Sequence, residues 1–517
     1  MERKWWTLIV VCVATFMLLL DVTIVNVALP SIQRSLHSSF SDLQWVVDAY
    51  SLLLAAFLLT SGSLADIFGR RVVFASGLVV FTLASMVCGL AASPLILNLF
   101  RGVQGIGGAM MFATALALIA QEFHGADRGT AFGAWGATTG LAVAIGPLIG
   151  GAFTSAFGWE SIFFLNVPIG IAALVVTMTK LVNVRPPGET RIDWGGLVTF
   201  SAALFLLVFG LVRGNDWGWG SGKTVAMLAG AIVLLVAFYA IERYVEHPMF
   251  DLSLFSKPTF TGASIVAFSL SSSMFAMFLY LTLYIQGILD FGPLQAGLRF
   301  LPQTFVMFLV APIAGKLSTR LPVRLFMGFG LLLVGGGLLL MRGLSPSSQW
   351  TALLPGFIIS GIGVGLINPP LASTAVGVVE PQHSGMASGI NTTFRQVGIA
   401  TGVAGLGAVF QSSVQSKVTA LLASTPGASL SHQFATAVYS GAAPGAIAAA
   451  PPAARATLTH VARVSFTSAM NDVLLIAAVV AIVGGLLAFV LIRARDFVGA
   501  PVPEQVPASE AEAAVLA

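Results

Sequence analysis

The chain has 517 residues, 57% of them hydrophobic and only 9% charged, with a net charge of +4. A soluble globular chain carries roughly 25% charged residues, so no soluble fold hides this much apolar surface. The positive balance comes without a basic patch interleaved with aromatics, so nucleic acid is not an expected partner, and Cys12 and Cys88, both inside apolar runs, suggest neither a disulfide framework nor a metal site.

Apolar stretches of about 20 residues recur along the chain, each long enough at about 1.5 Å per residue to cross a hydrocarbon core of roughly 30 Å. The expected fold is an all-α integral membrane protein with about fourteen transmembrane helices. In chain order the spans fall at 6–28, 43–64, 72–92, 95–120, 131–156, 162–181, 195–211, 224–241, 259–285, 295–315, 325–341, 349–371, 387–410 and 467–492. Met1 to Lys4 resemble the basic start of a signal peptide, but the run that follows is too long and carries Asp21, so it reads as the first span. An excess of Lys and Arg on one side, including Arg3, Lys4, Arg70, Arg71, Lys316, Arg320 and Arg324, places both termini in the cytoplasm.

The sequence contains a duplication. The stretch from Gly62 to Arg71 aligns with that from Gly315 to Arg324, matching Gly62 with Gly315, Leu64 with Leu317 and Arg71 with Arg324. After a short slip, Gly105 falls on Gly361, Gly129 on Gly385, Gly133 on Gly389 and Gly146 on Gly402. Two six-helix bundles are therefore expected, with two helices inserted between them, an arrangement that holds substrate near the midplane. The expected divisions are a first bundle at 1–182, the inserted pair with its flanking loops at 183–258, a second bundle at 259–493 and a disordered cytoplasmic tail at 494–517. Within the second bundle, 411–466 is an Ala-, Pro-, Gly- and Ser-rich outer loop, read as short helices on a flexible linker.

Charges inside spans point to function, because each costs roughly 2.5–3.5 kcal/mol at a span centre. Asp21, Asp48 and Arg101 lie about 8–12 Å from the outer ends of their spans and are expected to meet in one cavity as a proton-coupling set. Their bland alternative is a fixed ion pair that holds helices together. Gly62, Asp66, Gly69, Arg70 and Arg71 form a loop in which Asp66 can pair with Arg70, or cap a neighbouring helix when the inner face is closed, so it could serve as a gate. The alternative is a turn that only sets topology. Gly140, Gly146, Pro147, Gly150 and Gly151 form a small-residue face in the fifth span, which packing alone would explain. Asn26, Gln104, Arg299, Gln303, Asn368, Asn391 and Arg395 are intramembrane polar groups able to orient a ligand, or equally to bond between helices. Phe275 and Phe278, with Phe112, Met274 and Met277, are candidates for an adaptable apolar wall. Gly220 to Thr224 imitates the end of a phosphate loop, but Trp217 stands where the first glycine is required, so ATP is not the expected energy source. With all six histidines in loops and no nucleophile set, no enzyme activity and no cofactor are expected.

These motifs resemble the major facilitator superfamily, and within it the fourteen-helix drug:proton antiporters. Asp21 to Pro30 is similar to the family's first-helix signature, Gly62 to Arg71 to its loop motif, Arg101 with Gln104, Gly105 and Gly108 to its fourth-helix motif, and Gly146 to Gly151 to the exporter motif of the fifth helix. The resemblance implies export of small lipophilic compounds by alternating-access antiport, powered by the proton motive force, with Asp21, Asp48 and Arg101 handling protons. It implies a monomer in the lipid bilayer of the cell membrane. An importer or facilitator of a polar solute is the alternative; a non-transporting receptor would need a signalling domain that the chain does not show.

Overall fold

The structure, a computed structural model, describes residues 2–38, 40–183, 193–245, 252–380, 384–423 and 428–497. Among these the secondary structure is helical, and thirteen helices are long and apolar enough to cross a membrane. The first six spans are α1 (Arg3–Leu36), α2 (Phe40–Phe68), α3 (Arg70–Gly89), α4 (Pro94–Glu122), α5 (Gly125–Phe157), and a sixth built from the short α6 (Ser161–Phe164) running into α7 (Asn166–Lys180). The glycine-rich α5 is one continuous helix, in which Leu148–Phe157 is a shorter apolar stretch and not one of the thirteen. The inserted pair is α8 (Trp194–Trp217) and α9 (Gly222–Tyr244), capped by the side chains of Asp193 and Ser221, which accept from the amides of Gly196 and Thr224. Such caps satisfy amides that have no carbonyl partner in the first turn.

The second half opens with a span that is not uniform. Its α10 (Pro258–Leu270) and α11 (Ala276–Leu283) are joined and followed by wider π-helical turns at Ser271–Phe275 and Tyr284–Ile288. Then come α12 (Pro293–Leu317), α13 (Val323–Leu340), α14 (Leu354–Gly377), α15 (Ser384–Leu422), the short α16 (Ser431–Tyr439) and α17 (Ala443–Ala449), and α18 (Pro452–Leu491). Side chains such as Leu83, Leu90, Val236 and Val490 are exposed on the outside, as expected where hydrocarbon rather than water is the solvent.

Two expectations need correction. Between 411 and 466 the expected short helices are present as α16 and α17, but the flanking helices run on into the region, α15 to Leu422 and α18 from Pro452, and are 39 and 40 residues long in all. Val414, Val418 and Leu422 recur every four residues on one helix, Phe466 follows Val461 and Ala462 about one turn on along the other, and all are buried. Phe410 and Phe466 meet edge to face at 4.9 Å, and Phe434, Ala435 and Val438 of α16 complete this core. Alanine and its neighbours here, which resemble a linker by composition, are good helix formers once an apolar face has something to cover. The expected tail is ordered over its first residues, where the Asp496 carboxylate accepts from the Thr259 amide at 3.1 Å; residues 498–517 lie outside the described residues.

The repeat recurs in the packing. A methyl group at Gly105 would strike the Tyr50 carbonyl, and one at its partner Gly361 would lie 2.5 Å from the Gln303 carbonyl. Gly146 packs on Thr23 of α1, and its partner Gly402 on Ser272 of the equivalent first span of the second half. The inserted pair leans on α2 through Thr60–Ser201 (2.9 Å) and Trp45–Phe209 (5.6 Å between rings).

Candidate functional site

A buried polar group in the first half is built from five spans. Asp21 of α1 and Arg101 of α4 are each 1% exposed and form an ion pair at 2.5 Å. Gln104, one turn beyond Arg101, donates to the other Asp21 oxygen at 3.0 Å and accepts from Arg101 Nη1 at 2.7 Å. Asn166 at the start of α7 donates to the same oxygen at 3.1 Å and to Ser85 Oγ of α3 at 3.0 Å. Arg101 Nε donates to the Val46 carbonyl of α2 at 2.9 Å, and the guanidinium lies 4.4 Å from the Tyr50 ring. The carboxylate thus has three donors, and the guanidinium an anion, two neutral acceptors and an aromatic face. Paired and hydrogen-bonded in this way, a buried charge is tolerated; with one partner neutralised, the other would be left stranded.

Asp48 does not belong to this group. It pairs with Arg213 of α8 at 3.4 Å, and Arg213 also stacks on Trp45 at 5.1 Å. Neither a hydrogen bond nor an ion pair joins Asp48 to Asp21 or Arg101. The reason is helical period: Tyr50 faces Arg101, and a residue two positions earlier sits about 200° round the helix. The polar groups that residue-by-residue reading missed are Arg213, Asn166 and Ser85. Arg213 was the legible one, a charge close to the end of an inserted span; Asn166 and Ser85 are ordinary residues until α7 and α3 bring them to Asp21.

The loop residues close the end of the bundle that carries the amino terminus. Asp66 accepts from the amides of Gly385 and Met386, at 3.0 and 2.7 Å, at the start of α15, and lies 3.8 Å from Arg70. Arg70 further reaches the Ala117 carbonyl and Gln121 of α4, while Arg71 donates to the Met178 carbonyl at 2.6 Å. Gly69 turns between α2 and α3 at φ +97°, where a side chain would be strained. Beside Asp66, α2 crosses α15 with Gly62 against Gly385 and Gly389; a methyl at Gly62 would be 2.5 Å from the Gly385 carbonyl oxygen. The matched contact in the other diagonal is Gly315 of α12 against Gly129 and Gly133 of α5. Residues equated along the sequence therefore form two equivalent seams between the halves.

In the fifth span, Gly140 packs on Met307, Gly146 on Thr23 and Gly150 on Ile24, whereas Gly151 has nothing within 4 Å. The Pro147 and Asn26 side chains lie outside the described residues. Of the residues assigned to a ligand cavity, several are placed elsewhere. Gln104 is part of the Asp21 group. Arg299 reaches back to the Gln295 carbonyl and stacks on Phe291 at 3.3 Å near the start of α12, away from Gln303 and Thr304. Gln303 is buried and donates to Ser360 of α14 at 3.0 Å, a bond between helices. Met274 and Met277 are wholly buried in the second core, while Phe275, Phe278 and Phe112 are partly buried. Phe278 meets Phe300 at 5.2 Å. Asn368, Asn391 and Arg395 do come together, with Arg395 Nη1 donating to Asn368 Oδ1 at 3.1 Å and Nε to Asn391 Oδ1 at 3.4 Å.

Comparison with known proteins agrees with this architecture. The sequence model of the Major Facilitator Superfamily matches residues 11–403. The chain is 32% identical to the tetracenomycin C resistance and export protein of Streptomyces glaucescens, over 98% of this chain and 95% of that one. It is 36% identical to the puromycin resistance protein pur8 of Streptomyces alboniger, over 79% and 82% of the two chains. The crystal structure of the human organic anion transporter MFSD10 (TETRAN) shares the fold at a TM-score of 0.59 and 15% identity, covering 93% of this chain and all of that one. The chain is a multi-pass, all-α membrane protein and belongs to the Major Facilitator Superfamily.

Proposed function

We propose that the protein exports small lipophilic compounds in exchange for protons, by alternating access between its two halves. The observation that carries the reading is the Asp21–Arg101 pair, buried at the meeting point of several spans and held by Gln104 and Asn166. Protonating Asp21 removes the anion from a site that water does not reach, and the stranded Arg101 charge then favours a conformation in which it finds another partner. The names of the relatives, which include a cephamycin export protein and a multidrug resistance protein, support drugs and antibiotics as the cargo class.

In this reading the Asp66 contacts and the two glycine seams hold the inner face closed, and their rupture opens it. The protein works as a monomer in the cell membrane with both termini in the cytoplasm. The partly buried Phe275 and Phe278, with Asn368, Asn391 and Arg395, line the path of the cargo. Asp48, paired with Arg213, ties the inserted helices to α2 rather than carrying the coupled proton.

The test is dye or antibiotic uptake into inverted membrane vesicles, with and without an imposed pH gradient, for wild type and Asp21→Asn. Gradient-driven uptake is expected in the wild type and lost in the variant. Unchanged gradient-driven uptake in Asp21→Asn would remove Asp21 from coupling, and wild-type transport indifferent to pH across a broad panel would end the antiporter reading.

A further inference from the structure

Three ion pairs match acids with arginines in the first half and the inserted pair: Asp21 with Arg101, Asp48 with Arg213, and Asp66 with Arg70. Arg395 is different. It lies twelve residues into α15, about 16 Å from the helix start and so close to the middle of a hydrocarbon layer roughly 30 Å thick. Among the described residues no carboxylate pairs with it; its partners are the carboxamide oxygens of Asn368 and Asn391. Both asparagines are 2% exposed, and among the described residues no group accepts from Arg395 Nη2 or Asn391 Nδ2, which are buried. A charged donor and a neutral one are thus held side by side at mid-membrane with hydrogen-bonding capacity to spare. A buried donor without an acceptor calls for an explanation, and an ionisable one within the membrane points to function.

We infer that Arg395 and Asn391 bind an anionic oxygen group, a carboxylate or sulfonate, carried by an otherwise apolar compound during transport. The guanidinium supplies parallel N–H donors that match such a group, and Asn391 Nδ2 adds a third. One turn beyond Arg395, Gly398 packs on Phe268 and Ser271, at the π-helical turn that carries the partly buried Phe275. Arg395 also shares α15 with Gly385 and Gly389, so the movement that opens the inner seam moves the site with it.

This assignment rests on the export reading, and the experiment separates the two. Two fluorescent probes share a ring system and differ by one sulfonate: anilinonaphthalenesulfonate and phenylnaphthylamine. Their pH-gradient-driven uptake is measured in proteoliposomes holding wild type, Arg395→Gln, Arg395→Lys or Asn391→Ala. The ratio of the sulfonate rate to the neutral rate is expected to fall at least about tenfold in Arg395→Gln and about threefold in Asn391→Ala, with Arg395→Lys between wild type and Arg395→Gln. Equal loss of both probes, as a purely structural arginine would give, overturns the proposal, as does a wild type with no preference for the sulfonate. Binding of the sulfonate probe to detergent-solubilised protein is read by fluorescence in parallel. A wild type that moves neither probe, yet binds the sulfonate at least about tenfold more tightly than Arg395→Gln, counts against export of these probes and supports the site; equal binding overturns the site.

Discussion

Replacing Asp66 by alanine removes two hydrogen bonds between the halves and leaves the helices themselves intact. The carboxylate accepts from Gly385 and Met386 at 3.0 and 2.7 Å, at the positive end of α15. Loss of a capping side chain costs about 0.5–2 kcal/mol, and the anion's interaction with the helix dipole adds about 0.3–1 kcal/mol. Arg70 loses its carboxylate neighbour but keeps the Ala117 carbonyl and Gln121, all within the first half, so that loss is the same whether the seam is closed or open. A net loss of about 2 kcal/mol, felt only when the seam is closed, shifts the ratio of closed to open forms about thirtyfold. Spin labels at Val72→Cys and Leu317→Cys, exposed positions at this end of opposite halves, report the opening as a longer distance when Cys12 and Cys88 are replaced by alanine. Asp66→Ala is expected to move most of the population to the longer distance. An unchanged distance distribution would refute the idea that Asp66 holds the two halves together.

Gly129→Ala places a methyl against the Gly315 carbonyl, a backbone atom that cannot swing away, so the same labels should again report opening. Gly151→Ala meets nothing within 4 Å and should leave transport and melting temperature as in wild type, whereas Gly146→Ala collides with Thr23 and should lower the melting temperature. Asn166→Ala takes one donor from the Asp21 carboxylate, at a cost of about 1–3 kcal/mol, and should reduce gradient-driven uptake in vesicles more than it reduces binding of a dye to the solubilised protein. Asp48→Asn and Arg213→Gln, each destabilising alone, should be closer to wild type together; a double-mutant cycle by thermal unfolding is expected to show a coupling of about 0.5–3 kcal/mol, and additive losses would mean the pair is not coupled.

The membrane class and the duplicated unit were legible in the linear sequence because each depends on local composition or on residues recurring at a fixed spacing. Gly62 could be equated with Gly315, and Gly129 with Gly385, from register alone. That each then touches the partner of its equivalent, α2 on α15 and α12 on α5, is a property of how the halves face each other. The same limit explains the polar residues. Asp21 and Arg101 stood out because a charge in hydrocarbon is costly wherever it sits, and Asp66 because an acid beside glycines and two arginines is conspicuous. Asn166 and Ser85 carry no such mark, and Asp48 was placed with Asp21 by depth although its angle around α2 turns it towards Arg213. Between 411 and 466 composition misled, because alanine-rich sequence is helix or linker according to whether an apolar face finds a partner. Depth in the membrane and likeness between repeats are written along the chain; which side chains share a pocket is decided by helix azimuth and by neighbours far away in sequence, and these exist only in the folded protein.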